Sequence, residues 1–494
     1  MASDGPTGPV YIAIDEGTTS TRAAAFDARG NIVSQSSKAF EQHFPRPGWV
    51  EHDAEEIFAA VCQTLADVLA DPRAAKPAAV GITNQRETVV VWDRQTGKAL
   101  APAIVWQDRR TAQYCDALKA EGHEADLTAR TGLLLDPYFT ATKLRWLLEH
   151  VDGLKEKAAA GSIMAGTIDA YLAFKLTGQH VTDHSNASRT LLYNLDRGQW
   201  DEDLCALFGI QTSILPRIVD TAGPMGTIDQ DLPGAGLPLT AIAGDQQAAT
   251  IGQACLSAGS AKATYGTGCF LLVNTGRDIK RSKNRLLSTV LCQLNGERQF
   301  ALEGSIFVAG SLIQWLRDGL GLIADAAETQ ALASSVDDNA GVVIVPALTG
   351  LGAPYWNPQA RGAITGLTRG ATRAHIVRAA LEAQSYQTYD LVQAMAGDGQ
   401  EVRSLRVDGG MVANAWLCQD LADVLGVPIE RPKVIETTAL GAALLARVGV
   451  GDASSVEEAA SMWQLDASFS PAGDRSAIAD RLAQWSDAVG RVNT

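Results

Sequence analysis

Two short strand–turn–strand units, one starting at residue 11 and the other at residue 261, constrain this chain more than any other feature. The first runs along the apolar stretch 11–15, turns through Glu16-Gly17-Thr18-Thr19 and returns along 21–26. The second runs along 261–265, turns at Gly266-Thr267-Gly268 and returns along 269–274. Apolar runs joined by Gly/Thr turns read as hairpins. A single repetition of one hairpin design points to two related halves facing each other, and no tandem array is implied. The boundary is placed near residues 254–259, just after an apolar helix-like stretch at 246–255. The halves are therefore 1–253 and 254–494.

Between the hairpins and beyond the second, strand-like runs (79–83, 241–243, 342–345, 405–407) alternate with helix-like runs (246–255, 412–425, 439–448). That alternation favours α/β layers. A chain of 494 residues exceeds the ~250–300 residues that one core serves, so two or three domains are expected. The net charge of −15 argues against nucleic acid or an anionic membrane as a partner. It leaves a nucleotide open, because backbone N–H groups and a divalent cation can hold phosphates. The seven cysteines are scattered and form no C-x-x-C pair, which fits a reducing compartment without structural zinc. Residues 1–10 have neither a basic nor an apolar leader region, and no apolar run approaches the ~20 residues of a membrane span. A cytoplasmic chain without membrane insertion is expected. Asn186-Ala187-Ser188 matches a glycosylation acceptor and is read as a chance match.

The familiar nucleotide motifs are absent: no G-x-x-x-x-G-K-[ST], no H-R-D or D-F-G, and no G-x-G-x-x-G after a strand. Nucleotide would then be held by the hairpins. Glycine at a tight turn lets backbone approach a phosphate, threonine hydroxyls add donors, and successive N–H groups form an anion nest. Asp15, ending its strand, would lie beside those phosphates, where Mg²⁺ makes a carboxylate welcome. The same string also reads as a plain hairpin turn. Asp245, after Gly244, is either a helix N-cap or a general base toward a substrate hydroxyl. Arg86-Glu87 offers a donor fork beside an acceptor, as a polyol requires, or else forms a solvated surface pair. Trp106, Tyr138 and Phe270 are core residues or apolar contacts.

Longer strings carry a resemblance. Residues 15–22 read D-E-G-T-T-S-T-R, 47–53 P-G-W-V-E-H-D, 81–87 G-I-T-N-Q-R-E and 138–150 Y-F-T-A-T-K-L-R-W-L-L-E-H. Further on stand G-D-Q-Q at 244–247, T-Y-G-T-G-C-F at 264–270, the stretch 362–382, and V-D-G-G-M-V-A-N at 407–414. In this order they resemble the glycerol kinases, within the wider sugar-kinase family that shares the actin-like ATPase fold. The resemblance runs from about residue 11 to residue 449. It implies two actin-like (ribonuclease H-like) domains facing each other across a central cleft, with ATP between them.

Position by position, the resemblance implies that Arg86, Glu87, Tyr138, Asp245 and Gln246 hold glycerol while Trp106 and Phe270 cover its C–H face. Asp245 would be the general base, giving sn-glycerol 3-phosphate. Thr18, Thr19, Ser20 and Arg22 match the first phosphate segment and Thr267 the second. Gly310, Gln314, Gly410 and Asn414 match nucleotide positions, and Asp15 with Asp245 would lie at Mg²⁺. A homodimer or homotetramer is expected by resemblance alone. Two departures stand out. Glu16 replaces a glutamine of many relatives and would add charge beside the phosphates, while Met411 stands on the adenosine side. The loop 229–238 has neither the arginine nor the histidine of a regulatory loop in some relatives, so neither mode of control is expected. Two other readings remain: a kinase for another small polyol or ketose, and a non-enzymatic actin-like ATPase switch.

Overall fold

The computed structural model describes residues 8–74 and 77–493. Residues 1–7, most of the stretch read for a leader, lie outside the described residues.

Strand Val10–Glu16 alternates its side chains between two cores: Ile12 and Ile14 enter one, Tyr11 and Ala13 the other. A strand buried on both faces must lie inside a sheet that is covered on both sides. It pairs antiparallel with Ser20–Asp27 and parallel with Pro77–Asn84. Across the sheet the order is Leu239–Gly244, Pro77–Asn84, Val10–Glu16, Ser20–Asp27, Ile32–Ala39.

The second sheet repeats this plan. Its central order is Ile429–Pro432, Leu405–Asp408, Ala261–Tyr265, Cys269–Gly276, Glu297–Ile306, with the same succession of parallel and antiparallel pairings. Leu465–Phe469 and Leu287–Leu294 extend its two edges. The fold is α/β, with two actin-like halves across a cleft, and the paired hairpins of the sequence are the central strands of the two sheets.

One helix crosses between the halves. Thr437–Val450 lies in sequence between two strands of the second sheet, Ile429–Pro432 and Leu465–Phe469, but packs on the first, where Ala439, Ala442 and Ala443 meet Tyr11, Ala13 and Ala24. It also touches helix Asp245–Gly252 at backbone distance. A Cβ on Gly441 would lie 1.8 Å from the Ala248 carbonyl oxygen, and one on Gly252 2.0 Å from that of Thr437. Only glycine fits at either position.

Two element boundaries differ from expectation. The run 412–425 is broken: Gly410–Ala413 is a 3₁₀ turn, and Asn414 then caps helix Ala415–Leu425 by accepting from the Leu417 N–H. Asparagine prefers that cap to a helical interior. The run 246–255 ends as helix at Gly252, and Ala254 turns the chain with φ at 52°. Among the described residues, no helix is long and apolar enough to cross a membrane.

Candidate active site

Strand Pro77–Asn84 delivers Arg86 and Glu87 into the cleft, and both are almost fully buried, which excludes the solvated surface pair. Glu87 holds φ at 63°, a left-handed conformation that a non-glycine residue keeps only when its surroundings impose it. Those surroundings are ionic. Arg86 donates through Nη1 and Nη2 to the two oxygens of Glu303, at 2.5 and 3.1 Å, and its Nε lies 3.0 Å from Asp245 Oδ1. Arg189 donates Nε to Glu87 at 2.6 Å and Nη2 to Glu303 at 3.0 Å. Burial alone would raise the Glu303 pKa, but the guanidiniums of Arg189 and Arg86 outweigh it and hold the carboxyl at about 2. For Glu87, burial wins over the same two arginines and its pKa is raised.

Asp245 is the first residue of helix Asp245–Gly252, one past the cap position that Gly244 holds, so it is not the N-cap, and its Oδ1 accepts from the Gln246 N–H at 2.7 Å. Its carboxylate, partly open to the cleft, faces Arg86. Beside it Gln246 accepts from the buried Lys262 Nζ at 2.5 Å, and Lys262 also reaches Thr264 Oγ1 at 2.9 Å. Trp106 stands edge-on to Tyr138 and to Phe270, at 5.6 and 6.1 Å between centroids. Its Nε1 donates to Thr18 Oγ1 at 3.0 Å, tying the aromatic wall to the first hairpin turn. Buried Lys143 donates to the Tyr138 carbonyl at 2.5 Å, and burial lowers its pKa to about 7.

These residues enclose a cavity of about 150 Å³. It is lined by Arg86, Glu87, Trp106, Tyr138, Asp245, Gln246 and Phe270, with Thr18 and the turn of the second hairpin. Every residue expected at the substrate is brought together there. A second cavity of about 740 Å³ is lined by Thr267, Gly310, Gln314, Gly410, Met411 and Asn414 among others. Gly266 and Thr267 line both, so the two cavities meet at the second hairpin turn. Gly409, at φ 89°, lets its strand end close against that hairpin: a Cβ there would lie 2.4 Å from the Tyr265 carbonyl oxygen.

The first phosphate segment is less gathered. Thr18 lines the small cavity, whereas Thr19, Ser20 and Arg22 line neither. Arg22 forms an ion pair with Glu436. Asp15 lies opposite Arg22 on the hairpin, and burial raises its pKa to about 7 against the pull of Arg22, with Asp245 and Glu436 adding to the rise. Glu16 departs from its expected role. It is fully buried and accepts from Gln85 Nε2 at 3.1 Å, and burial raises its pKa well above the usual range.

Sequence reading missed Arg189, Glu303, Lys262 and Lys143. For Arg189 the sequence offered no signal, since its partners Glu87 and Glu303 lie far off along the chain; the neighbouring Asn186-Ala187-Ser188 is buried, and Asn186 exchanges hydrogen bonds with Asn84 at 3.0 and 3.1 Å. For Glu303 the one hint was an acid set within the apolar part of strand Glu297–Ile306.

A small pocket with an ionic edge and an aromatic wall, meeting a larger cavity at a Gly-Thr turn between two actin-like halves, defines a phosphotransferase of the small-molecule-kinase class. Residues 10–252 match the N-terminal domain of the FGGY family of carbohydrate kinases, and residues 261–450 match its C-terminal domain. The chain belongs to that family. It is 55% identical to a glycerol kinase of Alcanivorax borkumensis, over 98% of each chain. It is 53% identical to glycerol kinase 1 of Pseudomonas aeruginosa, over 98% of this chain and 99% of that one. Among solved structures it resembles Plasmodium falciparum glycerol kinase with ADP, at TM-score 0.91 and 37% identity, over 98% of each chain.

Proposed function

We propose that this chain transfers the γ-phosphate of ATP to a terminal hydroxyl of glycerol, giving sn-glycerol 3-phosphate and ADP. The observation that carries the reading is the 150 Å³ cavity, which Arg86, Glu87 and Asp245 line together with the aromatic rings of Trp106 and Phe270. A triol has a hydrogen-bonding edge and an apolar back, and the volume, about that of five waters, suits three carbons better than six. Glycerol kinases over half identical to this chain support the same substrate.

In this reading Arg86 and Glu87 fix the hydroxyls, with Tyr138 and Gln246 beside them, and the aromatic pair covers the C–H face. Asp245 takes the proton of the terminal hydroxyl as its oxygen attacks the γ-phosphorus. Thr18, Thr19, Ser20 and Arg22 attend the phosphates from the first hairpin, and Thr267 from the second. Gly310 and Gln314 contact nucleotide, and Gly410 and Asn414 flank the adenosine. Closure of the halves brings the first segment in and excludes water.

Asp15 and Asp245 would hold Mg²⁺ together with phosphate oxygens and water. The donor set fits such an ion: two carboxylates close enough to raise the Asp15 pKa are relieved by a cation, and Mg²⁺ needs few protein ligands. When bound, Mg²⁺ neutralises charge on the transferring phosphoryl group. The division into domains 1–253 and 254–494 belongs to the same reading, supported by the gap between the two matched stretches.

The test is ADP release from Mg·ATP over a panel of polyols and ketoses, for wild type and Asp245→Asn. Strong turnover with glycerol, lost in the variant, is expected. A better pentulose overturns the substrate, and equal ATP hydrolysis without any polyol overturns the kinase in favour of a switch.

A further inference from the structure

Away from the cleft, a cavity of about 550 Å³ opens between the hairpin ending in Gln199–Trp200 of the first half and the turn at 293–298 of the second. Arg197, Arg217 and Arg298 line it, together with His184, Trp200 and Ile218. The three arginines come from three separate segments, and among the described residues none of them makes an ion pair. Like charges gathered in one concavity repel, and here they gather in a chain of net charge −15.

The neighbouring acids are committed elsewhere. Asp196 pairs with Arg281 at 2.6 Å. Asp220 accepts from Gln293 Nε2 at 2.7 Å and from the Gly296 N–H at 3.0 Å. His184 adds no charge of its own at neutral pH: it shares a hydrogen bond with Tyr193 Oη at 2.7 Å, and burial, with Arg298 nearby, lowers its pKa to about 4.

Arg298 is built in rather than loose. Its Nη1 donates to the Leu195 carbonyl and its Nη2 to that of Asp196, each at 2.9 Å. Gly198 makes room for it, since a Cβ there would lie 2.7 Å from Nη1. Trp200 spends its Nε1 on the Pro216 carbonyl at 2.8 Å, so what it has left to offer a ligand is its apolar ring. Guanidinium groups match phosphate oxygens in pairs, and an indole with Ile218 offers a surface to carbon. The volume lies within the range of metabolite sites and exceeds the substrate cavity more than threefold.

We propose that this cavity binds a phosphorylated small organic molecule, at a site separate from the active site. One wall belongs to each half, so an occupant bridges them. Arg298 also shares strand Glu297–Ile306 with Glu303, which grips Arg86 in the active site. An occupant therefore bears on the strand that joins the two sites. The proposal stands whether or not glycerol is the substrate.

The test is calorimetric titration of the full chain, with ADP and glycerol saturating the cleft, using glucose 6-phosphate, glucose and inorganic phosphate as probes. The comparison is the double variant Arg197→Gln, Arg217→Gln, in which both changed residues are exposed and outside the catalytic machinery. Glucose 6-phosphate is expected to bind wild type at millimolar concentration or below and the variant at least tenfold more weakly, with turnover in the absence of probe unchanged. No binding to wild type at 10 mM, equal binding to the variant, or equal binding of glucose overturns the site. Inorganic phosphate binding as tightly as the sugar phosphate overturns the organic ligand.

Discussion

Glu303 accepts from Arg86 with both carboxylate oxygens, and the two residues come from opposite halves of the molecule. The pair is buried and shares Glu303 with Arg189, so the geometry of the substrate edge depends on a residue that lines no part of the cavity. Removing one partner of a buried ion pair leaves the other charge uncompensated, at ~3–5 kcal/mol. Glu303→Gln is therefore expected to lower stability by about that amount and to raise KM for glycerol, because Arg86 loses its bidentate anchor. Chemical denaturation and steady-state kinetics check both. Unchanged KM with lowered stability would reduce Glu303 to a structural role.

The same carboxylate sets an acid limit. Its folded pKa, about 2, lies below the ordinary value of 4.5, so the folded state binds fewer protons than the unfolded one between these values. Its contribution is fully present above pH 4.5 and is lost as pH falls toward 2. Between pH 4.5 and 2, wild type should lose stability more steeply than Glu303→Gln, and denaturation curves at several pH values in that window read the difference.

Asp245→Asn keeps the size of the side chain and leaves the cavity wall intact, since the residue is partly exposed and an asparagine Oδ1 still accepts from the Gln246 N–H. Loss of the base is expected to lower kcat by ~10²–10⁴-fold. The affinity for ADP should change little, because the 740 Å³ cavity does not include Asp245. Turnover beside ADP titration separates the two effects.

The hairpins at 11–26 and 261–274 were legible because strand, turn and return are adjacent in sequence and local rules decide them. The substrate edge was legible only through resemblance: Arg86-Glu87 alone could not be told from a surface pair until burial was known. Glu303 and Arg189 escaped because an ion pair spanning 114 residues leaves no spacing to read. Glu16 was misread for a related reason. Which face of a strand end meets solvent is fixed by packing from other segments, here Gln85 from the neighbouring strand's end. The ridge where Thr437–Val450 packs on the first sheet likewise followed from nothing local, since an Ala/Leu-rich helix fits many surfaces.

That ridge and the last helix, Arg475–Val492, yield a pair of glycine substitutions with opposite signs. Gly441 lies in helix Thr437–Val450, where a Cβ would sit 1.8 Å from the Ala248 carbonyl oxygen. The obstacle is backbone, so a methyl group must push the two helices apart and with them the contact between the halves. Overpacking of this kind costs ~1–3 kcal/mol, and Gly441→Ala is expected to destabilise by at least that much. Gly490 lies in helix Arg475–Val492 with nothing within 4 Å of its would-be Cβ and no left-handed φ. There alanine gains only helix propensity, so Gly490→Ala is expected to stabilise by up to ~1 kcal/mol. Thermal unfolding of the two variants beside wild type measures both shifts. If Gly441→Ala unfolds at the wild-type temperature, the helices do not touch through backbone at this crossing, and the packing of the second half on the first must rest elsewhere.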